Sequence, residues 1–274
     1  MAARQPLCGA KIMNSEFIGI CRELESWYGS KAGVYALDSI KSSLQGVLDK
    51  AFGYHLLQLG ITANPCLSDA SKINHCVMAG PRQQPRVGLV TDLDELPFES
   101  ESIDVLIAHH ALEFSPNPRQ VLREMQRVLA PQGQLLIIGF APYTPLGISH
   151  WLKGKIGHPL WRNRQTLSLR RIVDWLHLLG CELQDTQQLY TLPPSGRLQS
   201  LALRVNAHVT RHKWPVGGIY CLHAVKLVRG ALRPQPHRIL SRNPLLGMVP
   251  EPSAARQSGQ VVPISSAAPR NTPQ

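Results

Sequence analysis

The stretch from residue 87 to residue 140 constrains the fold most strongly, because short apolar runs alternate there with a segment of helical length. The runs Val87–Val90, Ile103–Ala108 and Leu135–Ile138 are too short to be buried helices. Between the second and third runs, apolar residues recur at helical spacing as far as Pro131. The alternation predicts an α/β fold with parallel strands, and the lack of polar alternation inside the runs predicts a sheet covered on both faces.

Polar groups or a glycine follow each of these predicted strands. They are Thr91-Asp92, His109-His110 and Gly139-Phe140. Ligands of an open parallel sheet bind beyond the carboxyl ends of its strands, so three such ends in succession predict a site at this edge. For Asp92 alone, the capping of a turn is an equally simple explanation.

The adjacent histidines are candidates for acid–base chemistry. A histidine side chain titrates near working pH, so His109 or His110 could act as a general base; a structural or ligand-lining role is the alternative. Neighbouring strand residues point to opposite faces, so only one of the two is expected to face the site. Glu113 is a weaker candidate of the same kind.

The sequence of this stretch resembles that of the class I S-adenosylmethionine-dependent methyltransferases, in particular the type 11 group. The matching residues are Asp92–Phe98, Ser102–Leu106 and the helix ending Leu122-x-Glu124-x-x-Arg127-Val128-Leu129-x-Pro131-x-Gly133. The resemblance implies a Rossmann-like sheet of seven mainly parallel strands with an antiparallel last strand and helices on both faces. It also implies S-adenosylmethionine as the cofactor and transfer of a methyl group to an unidentified, small-molecule or other acceptor.

By the same resemblance, Asp92 and the backbone amide of Leu93 would contact the adenine of the cofactor. His109 and His110 would face the methyl group and the acceptor, as cofactor-lining (His109) and catalytic residues. The family's glycine-rich turn, which lets the backbone approach the cofactor, would follow the first strand. Here it retains only Gly60, and Gln58 stands in the place of the usual acidic residue.

A second departure from the family follows the second predicted strand, residues 74–79. The family's acidic residue, which accepts the ribose hydroxyls, has no counterpart in the following Gly80-Pro81-Arg82. The two departures leave a second interpretation open. In it, the chain is a catalytically inactive relative that keeps the fold and binds a partner or nucleic acid.

The chain divides into three predicted parts, the second of which contains an insertion. Residues 1–53 are N-terminal helices that cover the site or pack on the sheet, and residues 54–228 are the methyltransferase domain. Within it, residues 141–167 form a basic and aromatic insertion or lid, which either holds an anionic or planar acceptor or is a solvated loop. Residues 229–274 are a proline-rich basic tail, predicted to be disordered.

Charge and composition bear on partners and compartment. The net charge is +11, and six arginines and one glutamate in the tail contribute +5 of it, so the lid and tail could make weak nucleic-acid contacts. No apolar run is long enough to cross a membrane, and the start lacks the apolar core of a signal peptide. The histidine pair has no third ligand at metal-site spacing, which predicts no metal. Six scattered cysteines without a C-x-x-C pair predict thiols in a reducing cytoplasm.

Overall fold

The structure is a computed structural model that describes residues 15–62, 66–157, 159–162, 164–192, 199–212, 214 and 216–227. The predicted tail at 229–274 lies outside these residues. The helices are α1 (Ser15–Gly29), α2 (Lys31–Leu48), α3 (Pro118–Val128), α4 (Pro145–Lys155), α5 (Pro159–Arg162), α6 (Leu169–Leu178) and α7 (Gln199–His212). The strands are β1 (His55–Gly60), β2 (His75–Gly80), β3 (Leu89–Val90), β4 (Ile103–His109), β5 (Leu129–Phe140), β6 (Cys181–Leu189) and β7 (Ile219–Lys226).

The strands form one seven-stranded sheet in the order β3-β2-β1-β4-β5-β7-β6. Pairing is parallel from β3 to β5, and β7 runs antiparallel to both of its neighbours, which confirms the predicted fold class. The direction of strand progression reverses between β1 and β4, where Gly60 lies opposite His109. Such a switch point creates a crevice at the carboxyl ends of the strands.

Apolar side chains explain why the central elements form. β1 is buried at every position after its first residue, as expected for a strand covered on both faces. On α3, the helical repeat of Val121, Leu122, Met125 and Val128 is buried against the sheet core. The strand that follows begins at Leu129, earlier than the sequence indicates, so the predicted helix stop at Pro131 lies inside β5.

The N-terminal helices share the core of the sheet. Leu24 and Tyr28 of α1, together with Ile40 and Leu44 of α2, belong to the same buried cluster as β1, β4 and β5. Ser30 caps α2 by accepting the backbone N–H of Gly33. Between β1 and β2, the described residues contain one 3-10 turn, Ser68–Ala70, which α2 contacts. None of the described helices is long and apolar enough to cross a membrane.

The basic segment after β5 is largely helical and is not an irregular loop. It contains two helices, α4 and α5, and Thr144 caps the first by accepting the backbone N–H of Gly147. Its aromatic residues divide between core and surface, because Trp161 is buried whereas Trp151 is 56% exposed. The segment is therefore folded onto the carboxyl edge of β5.

Candidate functional site

The turn after β3 presents an unpaired carboxylate. The backbone N–H of Thr91 donates to the Gly80 carbonyl at 3.0 Å, and its hydroxyl donates to the Glu95 carbonyl at 3.0 Å. The half-buried Asp92 carboxylate makes no hydrogen bond or ion pair with any described residue. A turn-capping aspartate would accept a nearby backbone N–H, so the structure disfavours the capping explanation.

The loop that follows is held by two residues of α3. Arg127 donates to the carbonyls of Leu96 at 2.8 Å and Phe98 at 2.9 Å. Glu124 accepts the backbone N–H of Leu96 at 3.1 Å, and its hydrogen bond with Arg127 lowers the pKa of its carboxyl group. The sequence motif contains both residues, but it did not indicate this bracing role.

Around β1, one polar side chain and two glycines serve hydrogen bonding and packing within the fold. The Gln58 side chain is buried and accepts the backbone N–H of Leu67 at 2.9 Å, which ties down the segment after β1. A Cβ at Gly60 would lie 3.3 Å from the His109 carbonyl oxygen. A Cβ at Gly80 would lie 2.7 Å from the Gly60 carbonyl oxygen. Glycine is therefore required where the ends of β2 and β1 approach each other.

A cavity of about 330 Å³ lies beside the inner face of α1. Its lining comprises residues of α1, α2, the segment after β1 and the β2–β3 connection: Glu25, Tyr28, Gly29, Leu37, Lys41, Cys66, Asp69 and Arg86. Glu25 accepts a hydrogen bond from the side-chain amide of Gln84 at 2.7 Å, so α1 is tied to the β2–β3 connection. The cavity thus presents two carboxylates, Glu25 and Asp69, close to the edge where the ribose-binding acidic residue of the family is missing.

Four buried polar side chains form a network at the end of β4. The Tyr28 hydroxyl lies 2.6 Å from Nε2 of His110 and 2.9 Å from Nε2 of His109. His110 Nδ1 contacts Glu113 Oε1, and Glu113 Oε2 accepts the backbone N–H of Phe140 at 2.9 Å. All four side chains are buried, and neither histidine reaches solvent.

Both histidines face the Tyr28 hydroxyl, although neighbouring strand residues were expected to point to opposite faces. β4 ends at His109, and His110 has a φ of 54°, in the left-handed region. Strand alternation therefore stops between the two residues, and their rings converge with centroids 4.4 Å apart. Tyr28 could not be assigned from the sequence, because it lies 81 residues before His109 on a helix with an ordinary apolar face.

The hydrogen-bond directions follow from the acceptor-only carboxylate. Glu113 accepts the proton of His110 Nδ1, which leaves Nε2 of a neutral His110 to accept the Tyr28 hydroxyl proton. His109 Nε2 then donates to the Tyr28 oxygen, and its Nδ1 is buried without a partner. Burial, and next the neighbouring His110, lower the pKa of His109 well below its ordinary value, so this ring is neutral at pH 7.

Two comparisons with known sequences decide the family. The family model for the type 11 methyltransferase domain matches residues 66–137. The uncharacterized protein YafS of Escherichia coli K12 is 30% identical over 176 residues, which are 62% of this chain and 69% of YafS. The chain belongs to the class I S-adenosylmethionine-dependent methyltransferases. Its cofactor is S-adenosylmethionine, and it transfers a methyl group to an acceptor.

Solved methyltransferases show the same fold. A S-adenosylmethionine-dependent methyltransferase from Thermotoga maritima superposes with a TM-score of 0.58 at 18% identity, covering 77% of this chain and 98% of its own. One from Archaeoglobus fulgidus superposes with a TM-score of 0.50 at 14% identity, covering 78% and 100%. Among the described residues, no group of three His, Cys, Asp or Glu side chains is arranged to hold a metal ion.

Proposed function

We propose that this methyltransferase holds the adenine of S-adenosylmethionine at the turn after β3. The Asp92 carboxylate accepts the exocyclic amine, and the Leu93 backbone N–H donates to a ring nitrogen. The unpartnered, half-buried Asp92 carboxylate is the observation that carries this assignment. The Leu93 N–H likewise has no partner among the described residues. A ligand would therefore supply hydrogen bonds that the protein leaves unmade at this turn.

The rest of the cofactor lies across the ends of β1 and β4. Gly60 permits close approach of a ligand to the strand end, and Gln58 fixes the segment that follows it. The ribose hydroxyls pair with Glu25 or Asp69 of the cavity beside α1, because the described turn after β2 offers no carboxylate. When bound, S-adenosylmethionine supplies an electrophilic methyl group on a sulfonium.

The histidine network serves as the proton acceptor of the site. Tyr28 both lines the cavity and contacts His109 and His110, so it connects the two. As the acceptor loses its proton, the Tyr28 oxygen takes it up, and the Tyr28 hydroxyl proton moves to His110 Nε2. The resulting imidazolium faces the Glu113 carboxylate, which stabilises the charge. Burial raises the pKa of Tyr28 well above its ordinary value, so Tyr28 passes on a proton and does not remain ionised.

Two matched variants test the adenine assignment by calorimetry with S-adenosylhomocysteine. Asp92→Asn should weaken binding by about 1–3 kcal/mol, roughly 5-fold to 150-fold, because a charged acceptor is lost. Asp94→Asn removes a second half-buried carboxylate two residues away and should leave the affinity unchanged. Equal affinities of the two variants, with both folded, would overturn the role of Asp92.

A reducing compartment, the cytoplasm, fits the cysteines. All five described cysteines are free thiols, and Cys21, Cys181 and Cys221 are buried. Burial raises their pKa values to about 12, 11 and 12, so they stay protonated and unreactive. The structure gives them a packing role that oxidation would disturb.

A further inference from the structure

The segment after β5 forms a second, half-open cavity of about 270 Å³. Three cationic side chains and two tryptophans line it, with one small and one hydroxyl residue: Lys155, Arg162, Arg164, Trp151, Trp161, Gly154 and Thr166. A Cβ at Gly154 would lie 2.8 Å from the Trp161 carbonyl oxygen, so glycine allows α4 and α5 to approach and shape this cavity. No Asp or Glu occurs anywhere between residues 140 and 170.

Two of the three cations are unpaired. The Nη1 atom of Arg164 is buried and has no hydrogen-bond partner. The Arg164 guanidinium lies 6.0 Å from the ring centroids of Phe140 and of Trp161, so aromatic faces orient it. Lys155 lies 5.6 Å over the Trp151 ring and makes no ion pair with a described residue. A half-buried guanidinium without an anionic partner is costly, and an anion in the cavity would pair with its accessible N–H groups.

This cavity adjoins the histidine network. The Phe140 ring stacks on His110 with centroids 4.4 Å apart, and Trp161 packs edge-on against Phe140 at 5.2 Å. The backbone N–H of Gln165 donates to the Glu113 carbonyl at 2.7 Å, which fixes the neighbouring Arg164 beside the end of β4. A group bound at Arg164 would therefore lie one aromatic layer from the proposed proton acceptor.

We infer that this cavity is an anion subsite that holds a carboxylate or phosphate group of the methyl acceptor. The inference rests on the proposed function for its link to methyl transfer. Its size fits one small anionic group, and a guanidinium fork held by aromatic rings suits a planar carboxylate or a phosphate. A solvated basic surface for a polyanion would present fully exposed cations, whereas the half-buried Arg164 packs beside two aromatic rings.

Binding of two probes, inorganic pyrophosphate and malonate, tests the subsite in the full-length protein. Tryptophan fluorescence and calorimetry should show one bound anion per chain, and the tighter of the two probes distinguishes a phosphate from a carboxylate ligand. Arg164→Gln should weaken binding at least about tenfold, while Arg164→Lys should fall between it and wild type. Arg170→Gln removes an exposed charge outside the cavity and should bind like wild type.

Three results would overturn the subsite. The first is the absence of anion binding at millimolar probe, and the second is an equal loss of probe affinity in Arg164→Gln and Arg170→Gln. The third is tight RNA binding with a steep salt dependence that Arg164→Gln leaves unchanged. S-adenosylhomocysteine binding, measured on the same variants, separates this inference from the proposed function. If the wild-type protein binds pyrophosphate but not S-adenosylhomocysteine, the cofactor assignment is wrong. The anion site itself would stand, and only its role in holding the methyl acceptor would be lost.

Discussion

The two halves of the sheet edge use their polar residues differently. In residues 87–140, the loop after β3 is braced by Glu124 and Arg127, and Asp92 is left unpaired within it. In residues 54–86, Gln58 is bonded to the backbone of Leu67, and Gly80 is required by the approach of β1. Residues 87–140 therefore leave a hydrogen-bond acceptor free for a ligand, whereas Gln58 and Gly80 in residues 54–86 serve the fold.

The difference explains why a family signature can be strong in one half and weak in the other. Arg127, which is part of the family motif, holds the backbone carbonyls of Leu96 and Phe98. The ribose-binding position after β2 has lost its carboxylate, and the nearby carboxylates come from α1 and from the 3-10 turn, at Glu25 and Asp69. Under the proposed function, these two residues would take over the ribose contacts from the sheet.

The largest loss of stability is expected from a substitution at Gly80, in residues 54–86. Gly80→Ala would place a Cβ 2.7 Å from the Gly60 carbonyl oxygen, a contact that backbone atoms must move to relieve. The free energy of unfolding should fall by about 1–3 kcal/mol, measured by urea denaturation. Gly88→Ala is the matched control, since its Cβ would lie 3.8 Å from the nearest atom. A similar loss in both variants would show that the close approach at Gly80 is unimportant.

A slightly smaller loss of stability is expected from a substitution at Tyr28, which joins α1 to the end of β4. Tyr28→Phe leaves one buried N–H of His109 and one acceptor nitrogen of His110 without a partner. Unfolding should become easier by about 1–2 kcal/mol, and the pH–rate profile should lose its dependence on the histidine network. Tyr35→Phe, which removes a hydroxyl without a partner among the described residues, should stay near wild type.

The pH dependence of stability should separate His109 from the surface histidines. Burial keeps its folded-state pKa well below that of the unfolded chain, so the unfolded state binds more protons as pH falls. Its contribution is complete above about pH 6.5 and is lost as pH drops from there towards the folded-state pKa, by up to about 1.4 kcal/mol per unit. His109→Gln should flatten that slope, although His223, whose pKa burial also lowers, retains its share. Parallel slopes in variant and wild type would contradict this account.

The fold could be predicted from the sequence because it depends on local patterns. Apolar runs predicted the strands at 87–90, 103–108 and 135–138, and the helical repeat between the last two predicted α3. Sequence also located His109, His110 and Asp92 at the carboxyl edge. Local patterns do not record which distant side chains meet, so the pairing of Tyr28 with the histidines was not predictable.

The basic segment shows the same limit. Its composition indicated an anionic or planar acceptor, with a solvated loop as the alternative, but not which cation would be half-buried between aromatic rings. Only the tertiary packing of Trp161 and Phe140 around Arg164 distinguishes that residue from the exposed Arg170 and Arg171. Positions whose role depends on a single long-range contact remain beyond sequence patterns.

Calorimetry of the wild-type protein with S-adenosylhomocysteine tests the central claim most directly. The unpaired Asp92 carboxylate predicts exothermic binding of one ligand per chain, and the missing carboxylate after β2 predicts weak affinity. A ligand at about 100 times its dissociation constant should stabilise the fold by roughly 2.7 kcal/mol. Absence of both heat and thermal stabilisation at millimolar ligand would contradict the claim that the β3 turn still holds the cofactor.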